Sequence, residues 1–231
     1  MTWPGRSVAA RRRRAAGRAA PGPLREYLAV PSPSRETPLE DLPLLALDLE
    51  TTGLDPRSDR VLSAGWVPVD GDRIVLGGAR RLLVRDAGEV GQSATVHGIT
   101  DDALGAGRPL EEVVGELLGA LAGRVLLAHF ARVETRFLDA ACRRFWGARM
   151  PVEVVDTLEL ERRLLPGGGE APQAPGALRL WTARARRGLP LYSAHEALTD
   201  ALACAELYLA QRSELEHATP ERTTALRHVV A

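Results

Sequence analysis

Hydrophobic and polar positions change their period along the 231-residue chain, and the changes mark out the elements. Residues 1–42 hold Arg, Ala, Pro and Ser with no sustained period, which predicts a flexible leader. Within it, Leu24–Leu28 can form one helical turn that docks on the folded part. Leu44–Leu49 is an apolar run and reads as the first strand, followed after Asp55–Asp59 by a second over Arg60–Val69. Asp70-Gly71-Asp72 reads as a hairpin turn, and Arg73–Val84 contains a third strand. The period then becomes helical. Leu110, Val113, Val114, Leu117, Leu118 and Leu121 share one face of a helix that Gly123 stops. Strands over Val125–Ala128 and Val152–Val155 alternate with helices over Val133–Trp146 and Thr157–Leu165. A Gly- and Pro-rich loop covers Pro166–Gly176, and two helices close the chain, over Ala177–Arg187 and Glu196–Leu215.

Three antiparallel strands followed by alternating helices and strands predict an α/β fold with a mixed sheet flanked by helices. The domain reading is a basic leader over 1–42, one folded domain over 43–213 and a short C-terminal tail over 214–231. Ligands on such sheets collect at strand ends and switch points.

The most informative departure from the apolar pattern lies in the first strand, at Asp48-Leu-Glu50-Thr-Thr-Gly53. Strand side chains repeat every second residue, so Asp48 and Glu50 face the same way, with Cα atoms about 6.6 Å apart. Two carboxylates on a buried strand need a cation or strong donors, and their oxygens suit Mg²⁺ or Mn²⁺. Glu134 falls in the first turn of a helix, where the dipole alone favours an acid. Asp156 ends a strand and reads as the N-cap of the Thr157 helix. His195 precedes the last helix, and Asp200 sits among apolar neighbours in its second turn.

In combination these segments resemble one family. Asp48-x-Glu50-Thr-Thr-Gly53, Ala128-His-x-Ala-x-x-Glu134-x-x-Phe-Leu138 and His195-x-x-x-x-Asp200 are similar to the three motifs of the DEDDh, or DnaQ-like, 3'–5' exonucleases. Ala94-Thr-Val-His97-Gly-Ile-Thr100-Asp101 and Val155-Asp156-Thr157-Leu support the match. The resemblance spans about residues 43–212 and implies an RNase H-like fold. It implies that Asp48, Glu50, Glu134 and Asp200 hold two divalent ions, Mg²⁺ or Mn²⁺, and that His195 is the general base. It also implies that Thr51, Thr52, Leu54 and His129 lie at the terminal nucleotide, Leu54 as a wedge against its base. The implied substrate is the 3' end of single-stranded nucleic acid, DNA ahead of RNA, with a replication or repair assembly as a partner. The chain departs from the family at two places. Glu134 stands where the family usually has aspartate, and Phe130 where it usually has asparagine. Competing readings are an RNA exonuclease of the oligoribonuclease kind and a nucleic-acid-binding domain with an impaired site.

Charge and composition refine this little. Thirty basic and thirty acidic residues cancel, every basic one is arginine, and asparagine is absent, a bias expected of a GC-rich genome. Arg6, Arg11–Arg14 and Arg18 give the leader a basic head, open to reading as a nucleic-acid arm, a transit peptide or a disordered segment. Cys142 and Cys204 are too few for a disulfide framework and read as buried thiols of a reducing, cytoplasmic compartment. No apolar stretch reaches the roughly 18 residues of a membrane span.

Overall fold

The computed structural model describes residues 7–85, 104–165, 174–192, 195–218 and 223–230. The motif at residues 94–101 lies outside the described residues, as does most of the Pro166–Gly176 loop.

Six strands form one sheet: β1 (Pro43–Thr51), β2 (Val61–Asp70), β3 (Arg73–Ile74), β4 (Arg80–Leu83), β5 (Val125–Ala128) and β6 (Val154–Asp156). Their order is β3-β2-β1-β5-β6, with β4 also paired to β2. β1 runs antiparallel to β2, and parallel to β5, which in turn runs parallel to β6. The expected mixed sheet is therefore present. The region read as one third strand is two short ones, separated by a 3₁₀ turn over Leu76–Gly78.

Among the described residues, seven α-helices pack around the sheet: α1 (Val8–Ala16), α2 (Pro23–Ala29), α3 (Leu110–Leu121), α4 (Arg132–Trp146), α5 (Thr157–Leu164), α6 (Leu180–Arg186) and α7 (Ala197–Ala218). Alternation along β1 divides the core. Leu45, Leu47 and Leu49 pack with α2, α3 and α4 through Leu24, Leu117, Leu118, Phe137 and Leu138. Leu44 and Ala46 pack on the other side with Leu160 of α5 and with Cys204, Ala205 and Tyr208 of α7. Asp48 and Glu50 continue this second row, so period two alone aims them toward α7. Both cysteines are buried and free.

Residues 7–42 are more ordered than the flexible leader expected, with the docking turn at Leu24–Leu28 present as α2. α1 and α2 pack on the domain, with Val8, Ala10, Ala15, Leu24, Tyr27 and Leu28 buried. The anchor is Arg12, one member of the arginine run. Its guanidinium donates to the carbonyls of Tyr27 (2.5 Å), Val30 (2.8 Å) and Pro151 (3.2 Å) and lies 4.1 Å from the Tyr27 ring centroid. Sequence pattern could not single it out among identical neighbours. The C-terminal residues also dock. Leu226 and Val229 are buried, Ala225 bridges to Pro38, and Val230 bridges to Val155.

Arg12→Ala should therefore destabilise the protein, since it strands buried carbonyls at about 1–3 kcal/mol each. A loss of about 3 kcal/mol would lower the melting temperature by roughly 6–12 °C in a domain of this size. A melting curve unchanged within 2 °C would show that α1 contributes nothing to the fold.

Candidate active site

The carboxylates foreseen in β1 and α7 meet. One oxygen each from Asp48, Glu50 and Asp200 lies within 4.8 Å of the others. Glu50 and Asp200 are buried, and Glu50 Oε1 and Asp200 Oδ1 have no hydrogen-bond partner among the described residues. Glu134 is buried too, its Oε2 likewise unpartnered among them, and reaches β1 from the first turn of α4. It stands outside the three-carboxylate cluster yet close enough to Asp48 to repel it.

This crowding shows in the acidities. Burial, and then the charges of Glu134, Asp200, Glu50 and Glu196, hold the Asp48 carboxyl well above the usual carboxylate range. Burial and then Asp200 raise Glu50 to about 7. Burial raises Glu134 to about 8, against the lowering effect of backbone N–H groups at Glu134 itself and Leu49. Asp200 is also raised, by burial first, although the backbone N–H of His195 opposes the shift. Four acids competing to stay protonated form a site suited to a cation.

Three features deliver α7 to β1. Gly65 of β2 pairs in register with Asp48. A Cβ at Gly65 would lie 2.2 Å from the backbone of Ala197 and Leu198, so only glycine admits the start of α7 this close. Glu196 caps the helix, accepting from the backbone N–H of Thr199 at 2.8 Å, and pairs with Arg81 of β4 at 2.6 Å. Arg81 is itself in register with Gly65. The backbone N–H of His195 then donates to Asp200 Oδ2 at 3.1 Å. His195 has a left-handed backbone (φ 68°) and an exposed side chain. Sequence reasoning missed Gly65 and the Arg81–Glu196 pair. A glycine inside a strand was the available signal for the first; the pair is joined only by the fold.

α4 is placed by Asp156. Its carboxylate caps α5 at Leu158 N–H (2.9 Å), as expected. It also accepts the N–H groups of Phe130 and Ala131, both at 2.9 Å. That double grip sets the turn from which Glu134 projects. Phe130 within it is left-handed (φ 66°), a conformation that asparagine adopts far more readily than phenylalanine.

The residues assigned to the terminal nucleotide divide. Leu54 is 64% exposed just beyond β1. The Thr51 hydroxyl donates to the carbonyl of Gly53 (2.7 Å), and the Thr52 hydroxyl accepts from the N–H of Arg60 (3.0 Å), so both shape the loop that carries Leu54. His129 does not join them. Its Nδ1 bonds Thr157 Oγ1 at 2.8 Å and its Nε2 bonds the carbonyl of Leu178 at 2.9 Å. Both ring nitrogens are satisfied inside the protein, and burial lowers its pKa. The histidine thus ties β5 to α5 and to the segment before α6.

Comparison with known proteins agrees with the geometry. A family model described as Exonuclease, of the RNase T type, matches residues 45–208. The epsilon subunit of DNA polymerase III from Treponema pallidum is 31% identical over 171 residues, covering 73% of this chain and 76% of that protein. The PolC-type DNA polymerase III of Thermotoga maritima is 31% identical over 180 residues, which are 76% of this chain but 12% of that much longer polymerase. Among solved structures, exonuclease X in complex with 5'-overhanging duplex DNA superposes with a TM-score of 0.58 at 22% identity, covering 80% of this chain and 98% of that one.

Proposed function

Given that the chain belongs to the RNase T-type exonuclease family, we propose that it hydrolyses nucleic acid from the 3' end, DNA in preference to RNA, releasing nucleoside monophosphates. The cluster of Asp48, Glu50 and Asp200 carries the reading, with Glu50 Oε1 and Asp200 Oδ1 buried and lacking partners among the described residues. Hard oxygen donors at raised pKa fit Mg²⁺ or Mn²⁺. Asp48, Glu50, Asp200 and, from the edge, Glu134 would hold two ions. When bound, such a pair stabilises charge on the attacking and leaving oxygens of the phosphodiester.

The chain's own residues supply the rest. His195 takes the proton of the attacking water on its imidazole, acting as general base. The water oxygen bonds to phosphorus, the bond from phosphorus to the 3'-oxygen breaks, and the shortened strand leaves with a free 3'-hydroxyl. The hydrogen bond from His195 N–H keeps that residue next to Asp200, so the base and a metal ligand move as one unit. Exposed Leu54 presses on the terminal base. The polymerase relatives support a role beside a replication assembly.

The test uses 5'-labelled single-stranded DNA and RNA with EDTA, Mg²⁺ or Mn²⁺. The expected result is a ladder shortening from the 3' end, abolished by EDTA and faster on DNA. Absence of hydrolysis with either metal would overturn the reading.

Glu134 gives a sharper check. Its carboxylate reaches Asp48 and the Leu49 N–H from the side, so its length matters. Glu134→Asp withdraws the group by about 1.5 Å, and a misplacement of about 1 Å costs on the order of 100-fold in rate. Both Glu134→Asp and Glu134→Ala should lose about 100-fold with Mg²⁺. Unchanged rates in both would remove Glu134 from the site.

A further inference from the structure

We infer that the groove between α1 and α4 is a track for the phosphate backbone of the nucleic-acid strand beyond its terminal nucleotide, a reading that rests on the proposed exonuclease activity. The groove is an open channel of about 660 Å³ walled by Arg11 and Arg14 of α1, by Arg18 in the turn that follows it, by Arg136 and Arg143 of α4, and by Arg149. One carboxylate faces them, Asp139, and it is already engaged by Arg143 at 2.6 Å and by the N–H of Met150 at 3.0 Å. The side chains of Arg11, Arg14, Arg18 and Arg149 are exposed and form no ion pair among the described residues. Compositional bias toward arginine does not produce this. The whole chain balances thirty basic against thirty acidic residues, whereas the groove holds six against one.

Helical spacing produces it. Arg11 and Arg14 fall at i and i+3, on one face of α1, and Arg18 extends the row from the turn after it. Buried Arg12 pins the opposite face, so the stripe is held toward α4. Arg136 and Arg143, seven apart, form the facing stripe. Two like-charged walls repel unless a polyanion lies between them.

The groove opens on the catalytic edge. A second depression, of about 510 Å³, shares Arg11 and Thr135 with it and reaches Ala131, Arg132 and Asp156. Ala131 and Arg132 begin the helix that carries Glu134, and Asp156 holds the turn before it. Arg136 also lies 3.6 Å from Asp55, in the loop that carries Leu54. α4 is about 22 Å long at 1.5 Å per residue, room for several nucleotides of a strand whose end sits at Asp48. α1 precedes the segment matched by the family model, so the α1 wall of the track is an addition to the shared domain, whereas the α4 wall belongs to it.

The test is equilibrium binding of a fluorescent single-stranded oligonucleotide in EDTA, followed by anisotropy from 50 to 300 mM KCl. The variant is Arg11→Gln/Arg14→Gln/Arg18→Gln. The control, Arg13→Gln/Arg73→Gln/Arg80→Gln, removes equal charge outside the groove. Each lost phosphate contact lowers the salt slope by about 0.7 for single strands, so the groove variant should lose about 2 in slope and at least roughly tenfold in affinity at low salt. The control should keep the parent slope. A second groove variant, Arg143→Gln/Arg149→Gln, reads the other wall should the first fail to fold. Parent-like slopes in the groove variants, or equal losses in the control, would overturn the track. Because binding is read in EDTA, the comparison decides the groove even if the parent hydrolyses nothing, an outcome that would instead overturn the exonuclease reading.

Discussion

Asp48→Asn should abolish hydrolysis and, at the same time, raise the melting temperature of the metal-free protein. Few substitutions do both, and the reason lies in the repulsion around Asp48. Its half-buried carboxyl faces Glu134, Asp200, Glu50 and Glu196. Asparagine keeps the shape and cannot carry a charge into the cluster. Without metal this removes the desolvation and repulsion that raise the Asp48 carboxyl, so the melting temperature should rise. With metal the same change deletes a ligand, and activity should fall by about 1000-fold or more.

The pH dependence follows with a definite sign. Glu50 and Glu134 titrate near 7 and 8 in the folded protein, against an ordinary value of 4.5 for glutamate. Between 4.5 and 8 the folded state binds more protons than the unfolded chain, so metal-free stability falls as pH rises through that window. Below 4.5 both states are protonated and the penalty vanishes. Mg²⁺ or Mn²⁺ should remove most of the slope by taking the place of the protons, and Asp48→Asn should flatten it without metal. Melting curves at pH 5.5, 7 and 8, with EDTA and with Mn²⁺, make the measurement. A metal-free stability that rises with pH across the window would contradict a repulsive carboxylate cluster.

Gly65→Ala is the second change expected to be severe, though the residue carries no chemistry. The added Cβ would meet backbone atoms of Ala197 and Leu198 at 2.2 Å, and backbone cannot rotate aside. α7 must retreat by more than 1 Å, taking Asp200 away from Asp48. Overpacking of this kind costs about 1–3 kcal/mol. The loss in rate should be about 100-fold, because a displacement near 1 Å suffices for that. A purely structural defect would lower the melting temperature and leave the metal requirement of the folded enzyme alone. A positioning defect should also raise the metal concentration needed for half-maximal rate. A parent-like metal requirement and rate at 25 °C would sink the positioning role.

These two residues also mark how far the sequence could be read. Asp48 was legible because strand periodicity is local. Two acids two residues apart in an apolar strand must face the same way, whatever surrounds them. The mixed sheet was legible for the same reason, since the change from period two to period 3.6 records which faces are buried. Asp200 was legible as an acid among apolar neighbours on a helix. Gly65 was not, because its importance is the distance to a helix more than 130 residues later in the chain.

His129 shows the same limit from the other side. Its motif position matched the family, but both its ring nitrogens are satisfied by Thr157 and Leu178, partners brought near only by packing. Arg12 is identical in sequence to Arg11, Arg13 and Arg14, yet it alone of the four is buried, because one helical face in four turns toward Tyr27 and Pro151.

By itself, then, the sequence determined the local quantities: most of the strands and helices beyond the leader, which side chains share a face, and which acids cannot be explained by solvent. Those depend on the repeat of the backbone and on the cost of burying charge. The tertiary structure decided the approach of α7 to β1, the place of Glu134 at the edge of the cluster, the withdrawal of His129 and the docking of the arginine helix. Each of these is a distance between elements remote in the chain, set by how side chains of particular size pack together.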